Sequence, residues 1–395
     1  MRRRIVEPLP PATPDNVPQL VDALLTAARS HRATDIHLVP DASALVVCWR
    51  IDGVLQRVAE LPIALAPNIV ARLKVLARLL TYRTDVPQEG GIRQAADGVE
   101  TRVSTFPTLF GEKAVLRLFA EQGRLQFLED LGLPGDVLTH LQHLLAETSG
   151  AVLLTGPAGS GKSTTIYACL REMVNNSAGG RSLVSLEDPV EVVVPGVAQS
   201  QIQPAAGFDM QVGLRSLLRQ DPEVILVGEI RDQRIARIVL EGSLTGHLML
   251  STFHAGTAAM AISRLSEMGI EPYQLRSGIL AIVSQRLVRK LCACARESDR
   301  TEDRLGMNVT RSLVPVGCDT CWGTGYHGRM VLAEVLIPDL QGLGRSILSR
   351  SDATAIQEQA VAAGMIPLWQ RACEAVNQGL TSAREVRRVF GFTGN

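Results

Sequence analysis

The stretch LLTGPAGSGKSTTIYACL, residues 153–170, decides how this chain is read. Gly156, Gly161, Lys162 and Ser163 meet the pattern G-x-x-x-x-G-K-[ST] in full. The apolar run before it (AVLL, residues 151–154) reads as a buried strand, and the residues after it read as a helix. In that setting Gly156, Gly159, Ser160 and Gly161 let backbone N–H groups close around phosphate oxygens, and Thr164 follows within the helix's first turn. The helix N-terminus adds partial positive charge, Lys162 reaches the outer phosphates, and the Ser163 hydroxyl is placed to ligate Mg²⁺. The expected ligands are ATP and Mg²⁺; the alternative is a glycine-rich turn that binds nothing.

Hydrolysis needs more than a cradle. A second carboxylate must help to hold the cation, and a base or orienting group must address the attacking water. VILVGE, residues 224–229, supplies the first at Glu229, where a buried strand turns acidic as it leaves the sheet. Ligands of an open α/β sheet gather at that strand edge. SLEDPVE, residues 185–191, offers Glu187, Asp188 and Glu191 after another apolar strand, against the alternative of a solvated acidic turn. TGHLMLSTFHAGT places His247 at the start of a strand and His254 at its far end, and residue type alone assigns neither a role.

Working outward, 395 residues suffice for two or three domains, each with its own core. Lys+Arg 40 balances Asp+Glu 40, so no global basic field draws the chain onto nucleic acid. No apolar run approaches the roughly 18–20 residues that span a bilayer, and the N-terminus turns to proline and polar residues where a signal peptide would be apolar. The cytoplasm is the expected compartment. Residues 1–17 read as a flexible lead-in. Residues 18–120 read as a small α+β domain, with a helix on Leu20, Leu24, Leu25 and Ala28, a strand in TDIHLVP, a hairpin turning at Asp52-Gly53, a second helix marked by Ile69, Leu73, Leu76 and Leu80, and two strands in ETRVSTFPTLFGEKAVLRLF. A linker is expected over 121–133. Apolar strands alternating with helical stretches then predict a parallel sheet flanked by helices over 134–395, including a four-cysteine element at 290–325 and a helical end at 350–395.

Seven cysteines are an odd count, and four of them fall as Cys292-x-Cys294 and Cys318-x-x-Cys321. Four thiolates can close a tetrahedral Zn²⁺ site that fixes local structure, and GCDTCWGTGYHGR has the glycines a tight knuckle needs. Reduced structural thiols are the alternative. Cys48, Cys169 and Cys373 carry no such pattern.

ATDIHLVP, RIDGVL, VPQEGGIR, RVSTFPTLFGEKAVLRL, GPAGSGKSTT, SLEDPVE, LLRQDPEVILVGEIRD and TGHLMLSTFHAGTA occur in this order. Together they resemble the secretion and pilus assembly ATPases, the GspE and PilB type of type II secretion and type IV pili, over residues 18 to the end. The resemblance implies a RecA-like ATPase domain after a small α+β, PAS-like domain. It implies Glu191, the last glutamate of the Asp box, as general base, Glu229 as the end of an atypical Walker B, and His247 and His254 as sensing or positioning phosphate. It implies that Arg102 and Arg117 of the first domain approach the nucleotide. A homohexamer that turns an inner-membrane platform protein, peripheral to the membrane, is implied as the working form. The four-cysteine element resembles that of the assembly motors, which the PilT retraction type lacks. Members of the assembly type usually carry a further N-terminal docking domain, whereas about 17 residues precede the shared region here.

Four readings follow from these residues. The first is an ATP-hydrolysing motor of pilin or pseudopilin assembly. The second is a retraction or type IV secretion traffic ATPase. The third is a nucleotide-binding regulator of a longer paralogue, which would be expected to lose some of Lys162, Ser163, Glu191 and Glu229. The fourth, a RecA-type nucleic-acid motor, calls for a basic track with stacking aromatics, which 4% aromatic content and zero net charge do not offer.

Overall fold

The structure, a computed structural model, describes residues 10–93, 100–118, 126–177, 180–338 and 342–392. Residues 1–9 of the expected lead-in and 121–125 of the expected linker lie outside them. The described residues group into two compact units, one from 10–118 with 317–328, the other from 126–316 with 329–392.

In the first unit, helix α1 (Val17–Ser30) turns Leu20, Leu24, Leu25 and Ala28 inward, as their helical spacing demands. Six strands follow: β1 (Ala33–Pro40), β2 (Ala44–Ile51), β3 (Val54–Pro62), β4 (Gln88–Arg93), β5 (Glu100–Thr108) and β6 (Gly111–Leu118). They form one sheet in the order β3-β2-β1-β6-β5-β4, antiparallel at every pair. Asp52 and Gly53 both take positive φ (48° and 81°), the two-residue turn whose twist matches its flanking strands. Helix α2 (Ala66–Leu76) is shorter than the Leu80 periodicity suggests. Arg78 adopts φ 57°, which ends the helical path and leaves Leu80 48% exposed. Residues 317–328, read from the sequence as part of the ATPase portion, pack on this first unit. Trp322 lies 4.8 Å from the His31 ring, the Arg32 guanidinium is 2.9 Å from His327 Nε2, and the Gly328 N–H donates to Asp52 at 2.8 Å.

The second unit is an α/β layer structure. After α3 (Gly135–Leu144) come β7 (Gly150–Thr155), α4 (Lys162–Ser177), β8 (Leu183–Glu187), β9 (Ala198–Gln201), α5 (Met210–Leu217), β10 (Val224–Val227), α6 (Gln233–Leu244), β11 (Leu248–Phe253), α7 (Ala258–Glu267), α8 (Pro272–Gly278) and β12 (Ile279–Leu291). Two-residue strands β13 (Arg296–Glu297) and β14 (Leu313–Val314) pair with each other, β15 (Tyr326–Leu336) follows, and the chain closes with α9 (Leu343–Leu348), α10 (Ala353–Ala362), α11 (Leu368–Asn377) and α12 (Ala383–Phe390). The main sheet runs β15-β12-β7-β11-β10-β8-β9, with β12 through β9 mutually parallel.

Every residue of β7, β10 and β11 is buried, as a parallel sheet covered on both faces requires. Alternate residues serve opposite layers. Ala151 and Leu153 join Ile225, Val227 and Met249 under α6 and α7, while Val152 and Leu154 join Leu226 and Leu250 under α3 and α4. The parallel strands bring the chain segments after β7, β8, β10 and β11 to one edge, where the acidic and phosphate-binding motifs sit. Leu153 is fully buried at the centre of this core. Leu153→Ala is expected to lower unfolding stability by about 2–5 kcal/mol, read by urea denaturation.

Candidate nucleotide site

The loop between β7 and α4 approaches its neighbour closely. Gly156 has φ 145°, and a Cβ there would stand 2.5 Å from the backbone oxygen of Gln285 on β12. Only glycine lets the loop lie against that strand. Helix α4 begins at Lys162, so its unpaired N–H groups and dipole face the space under the loop. Lys162 Nζ donates to Gly156 O (2.8 Å) and Pro157 O (3.1 Å). Burial pushes its ammonium pKa down, and the Glu229 charge pulls it back up. An ammonium held on two loop carbonyls keeps the cradle in shape and can exchange them for phosphate oxygens.

A cavity of about 520 Å³ opens here, lined by Gly159, Lys162, Ser163, Glu191, Glu229 and His254, together with Glu187, Asp188 and Arg231. Gly156, Ser160 and Gly161 shape the loop behind it, with Ser160 buried, and Thr164 is exposed on α4. The cavity fits a nucleoside triphosphate with its cation: a glycine cradle at a helix N-terminus, a lysine, and hydroxyl and carboxylate oxygens on facing walls.

Glu229 is the electrostatic hub. Its carboxylate accepts from Arg231 Nε at 2.8 Å and lies 2.6 Å from His254 Nε2. Arg231 Nη1 donates to Asp188 Oδ2 at 3.0 Å, so one guanidinium joins the carboxylates that follow β8 and β10. The backbone of His254 is held in turn by Arg264, whose Nη1 donates to its carbonyl at 2.6 Å. Just beyond, the fully buried Glu334 accepts the N–H groups of Ala258 and Leu368, pinning the starts of α7 and α11 together; burial pushes its carboxyl pKa up. Glu191 is exposed, on the segment after the cis Asp188–Pro189 peptide.

Three residues of the expected set stand elsewhere, one in this unit and two in the other. His247 is at the start of β11, its Nδ1 3.2 Å from Gly242 O, and its carbonyl accepts the N–H of Gly150 at the first residue of β7. The phosphate loop leaves the opposite end of β7, and a strand rising about 3.3 Å per residue separates His247 from His254 by roughly 20 Å. Of the two histidines expected to sense or position phosphate, His254 lines the cavity and His247, at the other end of β11, does not. Arg102 and Arg117 belong to the first unit, where they are directly opposed on β5 and β6. Arg117 also faces Asp35, 3.3 Å from its Nε, and Arg50 reaches the same carboxylate from β2 at 3.3 Å. Three arginines and one aspartate thus form a rung on one face of that sheet, with both Arg102 and Arg117 exposed.

The four Sγ atoms of Cys292, Cys294, Cys318 and Cys321 lie within 4.8 Å of one another. Tetrahedral zinc thiolates stand about 3.8 Å apart, and Cys318 and Cys321 are at 3.7 Å. The N–H groups of Cys318 and Gly325 donate to Cys321 Sγ at 3.1 and 3.2 Å. The shorter spacing of the first cysteine pair does not keep it from the cluster.

Sequence reading passed over Tyr167 and Arg231. Tyr167 is four residues beyond Ser163 and so shares its helix face, and Arg231 is two beyond Glu229; in both cases spacing from a recognised residue was the available signal.

The family model described as Type II/IV secretion system protein matches residues 12–388. The chain belongs to this family. The type II secretion system protein E of Dickeya dadantii (strain 3937) is 39% identical over 378 residues, covering 94% of this chain and 75% of that protein. The type IV pilus assembly ATPase PilB of Thermus thermophilus is 37% identical over 379 residues, covering 93% of this chain and 42% of that protein. The fold matches the ATPase DotB of Legionella pneumophila at a TM-score of 0.69 and 21% identity, covering 94% of this chain and 95% of that one. Among the described residues of this family member, no helix is long and apolar enough to cross a membrane.

Gly156→Ala is expected to weaken binding of a fluorescent ATP analogue more than tenfold while the circular dichroism spectrum stays unchanged.

Proposed function

We propose that this chain is an ATP-hydrolysing motor that drives assembly of pilin-like subunits in a type II secretion system or type IV pilus. The observation that carries the reading is the single cavity on whose walls Lys162, Ser163, Glu191, Glu229 and His254 converge. Family membership and the names of the relatives support the setting.

In this reading the α4 N-terminus and Lys162 hold the β- and γ-phosphates. The Ser163 hydroxyl and the Glu229 carboxylate are the groups suited to hold Mg²⁺, which when bound neutralises charge developing on the phosphate oxygens. Glu191 orients the attacking water and takes its proton. Asp188 and His254 keep Arg231 and Glu229 in register, so that Glu229 faces the cation with its own charge already shared. Arg102 and Arg117 add positive charge from the first unit, which we read as PAS-like, when nucleotide is engaged; Asp35 keeps Arg117 extended until then. The working form is a homohexamer in the cytoplasm, peripheral to the inner membrane, acting on a platform protein there. The four-cysteine cluster holds Zn²⁺ as a structural element, its thiolates suited to the metal by number and spacing.

Purified protein should hydrolyse ATP only with Mg²⁺, at a specific activity that rises with protein concentration. Lys162→Ala should abolish nucleotide binding, and Glu191→Gln should bind ATP normally while hydrolysing it about 10²–10⁴ times more slowly. Binding without hydrolysis at every concentration in the unaltered protein would shift the reading to a regulator. Metal analysis should find one zinc per chain, lost in a Cys321→Ser variant together with several degrees of thermal stability.

A further inference from the structure

Glu191 is exposed, and the segment that carries it must nevertheless be placed to within a fraction of an ångström of an attacking water. The buried side chains beneath it show how that is done. Tyr167 is 4% exposed and projects from α4, the helix whose first residue is Lys162. Its hydroxyl donates to Glu187 Oε2 and accepts the backbone N–H of Glu191 at 3.1 Å. Glu187, itself 4% exposed at the end of β8, also accepts from Ser185 Oγ at 2.5 Å and from Gln199 Nε2 at 3.1 Å. Gln199 grips the chain on the far side of Glu191, donating to Val192 O at 3.0 Å and accepting from Val194 N at 2.6 Å.

We propose that Tyr167 is the positioning residue for Glu191, coupling the location of its carboxylate to the helix that grips phosphate. The inference rests on the reading of Glu191 as base. A phenol has one proton to give. Committing it to Glu187 leaves an oxygen lone pair for the Glu191 N–H, so the carboxylate of β8 sets the direction in which Tyr167 holds the loop. Burial and the hydrogen bond to Glu187 push the phenol pKa well up, so the donor keeps its proton throughout the working pH range. Gln199 and Glu187 belong to neighbouring strands of the sheet. Tyr167 alone of these groups travels with Lys162 and Ser163, so a shift of α4 on phosphate binding is passed directly to the Glu191 backbone.

The test is Tyr167→Phe in the full chain, which keeps the ring and removes both hydrogen bonds, beside Glu191→Gln and the double variant. Steady-state hydrolysis, ATP-analogue affinity and thermal unfolding are measured for each. Tyr167→Phe is expected to lower kcat about tenfold to a hundredfold, with affinity within about twofold and the unfolding midpoint near that of the unaltered protein. Added to Glu191→Gln it should cost nothing more, because it acts only through that residue. An unchanged kcat, or a loss in the double variant equal to the product of the single losses, overturns the proposal. If Tyr167→Phe unfolds early, Glu187→Gln, which leaves the ring in place, must show the same loss confined to kcat or the proposal fails. Hydrolysis undiminished in Glu191→Gln would overturn the base assignment and this inference with it, whereas a dead Glu191→Gln beside a fully active Tyr167→Phe overturns the inference alone.

Discussion

Phosphate can meet the N–H groups of α4 only if the loop before that helix folds flat against the neighbouring strand, and the contact of Gly156 with the Gln285 carbonyl is where that occurs. Much else depends on it. The loop carbonyls on which Lys162 rests belong to Gly156 and Pro157, so the lysine's place follows from the same close approach. Gln285 holds the structure from the other side, its Nε2 donating to Thr165 Oγ1 of α4 at 2.9 Å. Strand, loop and helix are thus tied at two points, and the helix dipole is aimed before any ligand arrives.

Around that fixed point the acidic residues are arranged so that their charge is usable. Glu187, Asp188, Glu191 and Glu229, all lining one cavity, would repel a triphosphate if each stood alone. Arg231 spans Asp188 and Glu229, His254 takes the second oxygen of Glu229, and Tyr167, Ser185 and Gln199 surround Glu187. Glu191 lines the cavity and is tied to this network through its backbone N–H. The cluster is differentiated by its partners, since its members are alike in type and differ in what each side chain touches.

The strand-loop-helix at residues 150–177 was legible because motif and hydrophobic pattern agree there, and so were β8, β10 and β11, whose short apolar runs end in acidic or polar residues. The Asp52-Gly53 hairpin was legible from turn chemistry. Other elements were not. The thirteen residues of β12 run from ILAIVS into QRLVRKL with no alternation and no turn signal, since the first part is covered on both faces and the second emerges from the core. QEGGIR offers little β propensity, and β4 forms because β5 presents it a complete row of partners. Among site residues, sequence located carboxylates and could not say which were already paired. His247 and His254 were legible as the two ends of one strand, and only the folded chain shows which of those ends meets the cavity.

The return of residues 317–328 to the first unit changes what counts as a module in this protein. The row of rings from Trp49 through His31 to Trp322 is completed by a residue that arrives just over two hundred positions after β6. A fragment ending after β6 would carry the sheet and both helices of the first unit and still leave the His31 ring without Trp322, so this unit is not encoded by one continuous stretch of sequence.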